Sequence, residues 1–266
     1  MINVVAGFSV ESGIMKNIFR RALWGALLTA GVLAAQPTSH QAEAKSQQEA
    51  RPQFIVCIDP GHPSETSEGA AAGGLSENTL NWNVGVRLAN KLNKAGIAWV
   101  ITKNKINQRV TNRRRAEIAN GSNSYRTACA AFIRLHCDEG AGRGWTWYYP
   151  DRAGRKGNVV GPSKGVQQWS RALAGTMNEG MKPVLRNSLK SNPIKTDAAT
   201  GVGSRQGGVL TGSIYSQVPT ALVEMCFINQ RSDARFIGSS AGQDKMADAL
   251  LAGIKKWKAS WEKAND

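Results

Sequence analysis

The sequence predicts one α/β domain, a mostly parallel mixed sheet flanked by helices, with a ligand site at the carboxyl ends of its strands. Three observations lead there. Short apolar runs rich in β-branched residues alternate with segments whose apolar residues recur every three or four positions, the pattern of strands joined by helices. The first run stops in Asp59-Pro60-Gly61-His62, where proline and glycine force a turn. Beyond residue 40 the chain has only two histidines, His62 and His136, and both stand where such a run ends. Open α/β folds collect their ligands in the loops at those ends.

Phe54 to Ile58 is the first buried strand, followed by a loop rich in glycine and alanine from Pro63 to Gly74. Ser76 is placed to cap a helix that carries Leu80, Val84, Leu88 and Leu92 and stops at Gly96. Ile97 to Thr102 is the next strand, and a short basic helix spans about Arg113 to Asn120. Ala130 to His136 makes another strand, Trp145 to Tyr149 is extended, and Ser163 to Gly180 is helical. Thr220 to Phe227 is a further strand. From about Gly242 a closing helix lines Met246, Leu250, Ile254, Trp257 and Trp261 along one stripe. The domain is expected over residues 54–261, after a polar linker at 45–53. No internal repeat or coiled coil is visible.

Residues 1–44 are expected to be an export segment. Lys16, Arg20 and Arg21 precede an apolar run from Ala22 to Ala35 that is short for a bilayer span, and Ala42-Glu43-Ala44 offers a cleavage site. Met15 stands directly before this pattern, so residues 1–14 read as a misassigned start. The alternative is an uncleaved anchor. The mature chain is thus expected outside the cytoplasm, in the periplasm or cell envelope, without a stable membrane span.

Hydrophobic residues at 41% and charged residues at 20% exclude a disordered chain. A net charge of +15 draws the protein toward polyanions, for which anionic wall polymers are candidates. Nucleic acid is not expected: the basic residues are scattered apart from Arg113-Arg114-Arg115, and no nucleic-acid motif accompanies them. Cys57, Cys129, Cys137 and Cys226 permit two disulfides in an exported chain, yet all four lie in or beside apolar runs where cysteine also serves as a small core residue. Their pairing is left open.

Two imidazoles and one carboxylate can hold a zinc ion while leaving a position for water. Glu77 opens the helix after the glycine-rich loop, although the helix dipole alone favours an acid there, and Glu65 and Glu68 compete with it. Cys137 competes with His136, but neighbouring side chains of a strand point to opposite faces. Glu224 interrupts the apolar strand Ala221 to Phe227, and a glutamate there is costly to bury unless compensated. A salt bridge to an arginine would compensate it; beside a metal it would serve as general base.

The blocks Asp59-Pro60-Gly61-His62, Leu75-Ser76-Glu77-Asn78, Thr111-Asn112-Arg113 before Ala119-Asn120, Ala131 to His136 and Pro219 to Asn229 occur in one order. In these, the chain resembles the zinc-dependent N-acetylmuramoyl-L-alanine amidases of the amidase-3 type, from about Phe54 to Lys258. The resemblance implies Zn2+ as cofactor, His62, Glu77 and His136 as its ligands and Glu224 as the catalytic glutamate. It implies peptidoglycan as substrate, cut between N-acetylmuramic acid and L-alanine. Asp59 would orient the His62 ring from behind the metal ligands, or simply shape the turn. Pro63, Cys137, Asp138 and Cys226 depart from the family pattern beside the site, without removing a ligand. The stretch from Glu139 to Pro162 is too short for the helical insertion that autoinhibits some members. A zinc peptidase of wall peptides and a catalytically silent peptidoglycan-binding protein are the alternatives.

Overall fold

The computed structural model describes residues 52–266. The export segment expected at 1–44 and all of the linker but Pro52 and Gln53 lie outside the described residues. Strand β1 (Ile55–Pro60) leads through a small hairpin, β2 (Ala71–Ala72) and β3 (Leu75–Ser76), into helix α1 (Glu77–Lys94). Then come β4 (Ala98–Ile101), α2 (Asn112–Ala119), β5 (Ala131–Asp138) and β6 (Thr146–Tyr149). A second hairpin, β7 (Gly154–Lys156) and β8 (Val159–Gly161), precedes α3 (Lys164–Leu185). Strand β9 (Lys195–Thr196), a 3-10 turn at Asp197–Ala199, α4 (Gly201–Arg205) and α5 (Thr211–Ile214) lead to β10 (Thr220–Phe227). Helices α6 (Arg231–Gly238) and α7 (Ser240–Asn265) close the chain.

Six strands form one sheet in the order β4-β1-β5-β10-β6-β9. The four strands from β4 to β10 run parallel, whereas β6 is antiparallel to β10 and β9 parallel to β6. The expected mixed, mostly parallel sheet is therefore present. Strand alternation divides its side chains. Val56, Ile58, Ile133, Leu135, Val223 and Met225 pack beneath α1, α3 and α7 in the main core. That core receives Leu80, Val84, Leu88 and Leu92 from α1 and the stripe from Met246 to Trp261 from α7. On the other face Ile55, Cys57 and Phe132 meet Ala116 and Ala119 of α2. There the register sets Asp59 beside Arg134, Arg134 beside Leu222, and His136 beside Glu224. Residues aligned between parallel strands share a face, so one polar file crosses the central strands.

Two helix boundaries and one helix cap differ from expectation. Helix α3 continues past Gly180 to Leu185, because Met181 and Leu185 still face the core. The closing helix begins at Ser240, where the Ser239 hydroxyl accepts from Gly242 N at 3.0 Å. Ser76 precedes α1 without a side-chain cap; Glu77 N instead donates to Ala70 O at 2.9 Å. Residues 139–162 hold strands and loops with no helix. All four cysteines are free and buried. Among the described residues no helix is long and apolar enough to cross a membrane.

Candidate metal centre

The turn after β1 is built to present His62. Its backbone is left-handed, with φ +58°, a conformation that non-glycine residues adopt only when their surroundings enforce it. The enforcement is visible at four successive carbonyls. Arg115 donates to Pro60 O at 2.7 Å and to Pro63 O at 2.9 Å. Asn81 Nδ2 donates to Gly61 O at 3.4 Å, and Lys103 Nζ to His62 O at 2.5 Å. Gly61 is required by close approach: a Cβ there would stand 2.4 Å from Cε1 of His136.

His62, Glu77 and His136 converge, each offering a ligand atom within 4.8 Å of the others. Glu77 Oε1 lies 3.3 Å from His62 Nε2 and 3.0 Å from His136 Nδ1. Tetrahedral bonds of about 2.0–2.1 Å have edges of about 3.3 Å, so these spacings suit a shared cation. Secondary contacts hold each group. His62 Nδ1 faces Ser67 O at 3.2 Å, Glu77 Oε2 accepts from Ala70 N at 2.8 Å, and Glu77 Oε1 accepts from Cys137 N at 3.2 Å. Burial alone would raise the Glu77 carboxyl, but its hydrogen bonds to His136 and His62 hold it well below the usual carboxylate range. Burial lowers His136 to about 4, against the opposing pull of Glu77, which keeps the imidazole neutral and able to bind metal.

Glu224 occupies the strand position beside His136 and lines the same cleft, of about 380 Å³. It is partly buried, with Oε2 fully covered, and forms no ion pair among the described residues, so the arginine salt bridge weighed above is absent. Burial pushes its carboxyl well up, reinforced by the charges of Glu77 and Asp138. One buried polar atom here, Glu224 Oε2, lacks any hydrogen-bond partner. An orphaned atom of that kind requires an explanation. A divalent cation or its bound water would supply one, and two imidazoles with one carboxylate are a donor set that suits Zn2+.

The competing acids are engaged elsewhere. Glu65 Oε2 accepts from Asn112 N at the start of α2 at 2.8 Å, and Glu68 pairs with the exposed Arg109. Cys137 is turned into the main core. The direct contact expected from Asp59 to His62 is absent among the described residues, and Ser67 O stands beside the ring instead. Asp59 receives Thr102 Oγ1 and Arg115 Nη1 at 2.6 Å each, and Arg134 Nε at 3.1 Å. Burial would raise this carboxyl, yet the two guanidinium groups hold it far below its ordinary value. Asp59 therefore acts on the turn only through Arg115.

Sequence reasoning missed Arg134, Lys103 and the cleft wall of Ala199, Thr200, Val202 and Arg205. Arg134 had a signal: like Glu224 it interrupts an apolar strand, two residues before His136 and so on the same face. The wall had none, since its short helices have no periodicity to read.

Several bacterial proteins are similar to this chain. The Bacillus subtilis protein YqiI is 28% identical over 241 residues, covering 89% of this chain and 98% of its own. The N-acetylmuramoyl-L-alanine amidase Rv3717 of Mycobacterium tuberculosis is 25% identical over 246 residues, covering 84% of this chain and 94% of its own. The solved structure of the N-acetylmuramoyl-L-alanine amidase AmiC2 of Nostoc punctiforme matches the fold with a TM-score of 0.60 at 24% identity, covering 77% of this chain and 97% of that one. The family model of N-acetylmuramoyl-L-alanine amidase matches residues 56–256, a span that holds every strand from β2 to β10 and all four residues gathered at the cleft; the chain belongs to that family.

Proposed function

We propose that the protein is a zinc-dependent peptidoglycan amidase that hydrolyses the bond between the lactyl group of N-acetylmuramic acid and L-alanine of the stem peptide. His62, Glu77 and His136 would hold the ion, and Glu224 would act as general base. The observation that carries this is the meeting of those three side chains, at 3.0 and 3.3 Å, with the unpartnered Glu224 carboxylate in one open cleft.

Zn2+ held there would supply a Lewis acid for the scissile carbonyl and for water. The protein's own work is then to position and to move a proton. Glu77 fixes both imidazoles, and the four-carbonyl clamp on residues 60–63 fixes the backbone of His62. Glu224, ionised beside a cation, takes a proton from the attacking water and returns it to the departing amine of L-alanine. The buried strand on which it stands spares it the reorganisation that a mobile loop acid would need. The net positive charge favours a carboxylate-bearing wall, and the leading segment is read as an export signal that places the enzyme in the cell envelope.

Purified muropeptides digested by the zinc-loaded protein test the proposal by mass spectrometry. Release of intact stem peptide with a free L-alanine amine is expected. Cleavage between amino acids would identify a peptidase, and murein binding without release would identify a silent binder. Glu224→Ala should keep zinc by metal analysis and lose about 10²–10⁴-fold in kcat. His62→Ala should lose the metal itself. Near-normal turnover by Glu224→Ala would remove it as the base.

A further inference from the structure

The cleft lining carries both signs of charge: the two imidazoles, Glu224 and Asp138, together with the guanidinium groups of Arg115, Arg134 and Arg205. These three guanidinium groups are not equivalent. Arg115 is spent: Nε donates to Val110 O, Nη1 to Asp59 and Pro60 O, and Nη2 to Pro63 O. Arg134 is 95% buried by its 5% exposure and donates Nε to Asp59 and Nη2 to Asn112 Oδ1, at 2.8 Å. Its Nη1 has no acceptor among the described residues. That nitrogen reaches over Gly212, where a Cβ would stand 2.4 Å from it. Arg205 is exposed on α4 and likewise has no acceptor.

The carboxylate Asp59 thus faces two guanidinium groups, and one positive charge is left over at the cleft floor. Asp197 and Glu224, the other acids near Arg134, form no ion pair with it, and Asp197 accepts from Leu210 N at 3.0 Å. A buried arginine with an unused nitrogen and a second, free arginine line the same cleft, and two guanidinium groups there suit a planar anion. Spacing identifies which anion. Arg134 and His136 are two residues apart on β5, about 7 Å along the strand. An extended peptide also advances about 7 Å in two residues. A scissile amide at the metal end therefore brings the residue after L-alanine to Arg134.

We propose that Arg134 and Arg205 form a carboxylate-recognition subsite that reads a free α-carboxylate on the second residue of the stem peptide. The inference rests on the amidase reading above and adds to it a rule of substrate choice. Amidation of that carboxylate removes the charge and one acceptor, and should be selected against.

The test compares N-acetylmuramoyl-L-alanyl-D-glutamate with its α-amide, N-acetylmuramoyl-L-alanyl-D-isoglutamine. The wild-type protein should favour the acid at least tenfold in kcat/KM, mainly through KM. Arg205→Ala and Arg134→Lys should each draw that ratio toward one; as a ratio within one preparation, it is insensitive to loss of folded protein. Equal use of both compounds by the wild type, or an unaltered ratio in both variants, would overturn the subsite. Calorimetry with the product dipeptides L-alanyl-D-glutamate and L-alanyl-D-isoglutamine gives a readout independent of turnover. Should the zinc-loaded protein cut neither muramoyl compound, the amidase reading fails, while the dipeptide comparison still decides whether the subsite exists.

Discussion

The two faces of the central strands are made by the same residues in alternation, and they obey different rules. Beneath the helices, Ile133, Leu135, Val223 and Met225 are interchangeable in kind: each contributes by leaving water and filling volume. On the cleft side, Arg134 and Asp59 are buried polar groups and His136 is a partly buried one, each held by a particular partner. The apolar face is held by many small contributions. The polar face is held by a few pairs, and losing one member strands the other. Strength and specificity are thus separated by a single peptide step along β5.

Substitutions on the two faces should therefore fail differently. Asp59→Asn should be the most severe, because it leaves Arg115 and Arg134 buried without their shared carboxylate. A loss of about 3–5 kcal/mol in chemical denaturation is expected, with zinc affinity also reduced through the loosened 60–63 turn. Stability within about 1 kcal/mol of wild type would show that the turn holds itself. Leu135→Ala, one residue from both Arg134 and His136 but on the apolar face, should cost about 2–5 kcal/mol. Its folded fraction should retain metal and kcat; a disproportionate loss of zinc would break the distinction between the faces.

A gentler probe is pH. Burial raises Asp197 from 3.8 to about 6, opposed by its hydrogen bond from Leu210 N. Between about pH 4 and 6 the folded chain keeps a proton that the unfolded chain has released. Stability attributable to this group should then fall as pH rises through that window and return on acidification, by up to about 3 kcal/mol. Asp197→Asn cannot ionise and should flatten that part of the pH profile. Identical slopes for variant and wild type in urea titrations would exclude Asp197 as their source.

Much of this site was legible before any coordinates. His62 and His136 were marked by scarcity and by their places at strand ends. Glu224 was marked by its cost in an apolar strand, and the structure answers that cost with proximity to the imidazoles and no arginine. The role given to Asp59 was not legible, because alternation says which face a residue occupies and not which cation waits there. Arg115 reaches Asp59 from 56 positions away, through a helix that sequence reads only as basic. The wall from Asp197 to Arg205 escaped for another reason: its turns are shorter than the period that reveals a helix.

Local chemistry by itself determined the strands, the helices with apolar stripes, the glycine-rich turn and the residue types able to hold a metal. These depend on neighbours a few positions apart, which sequence displays. Only the tertiary structure decided that β5 and β10 align Glu224 with His136, that Glu77 and not Glu65 or Glu68 reaches the imidazoles, and that Arg134 keeps a nitrogen free. Register and long-range ion pairing are settled by burial summed over the whole sheet, a quantity that no short stretch of chain contains.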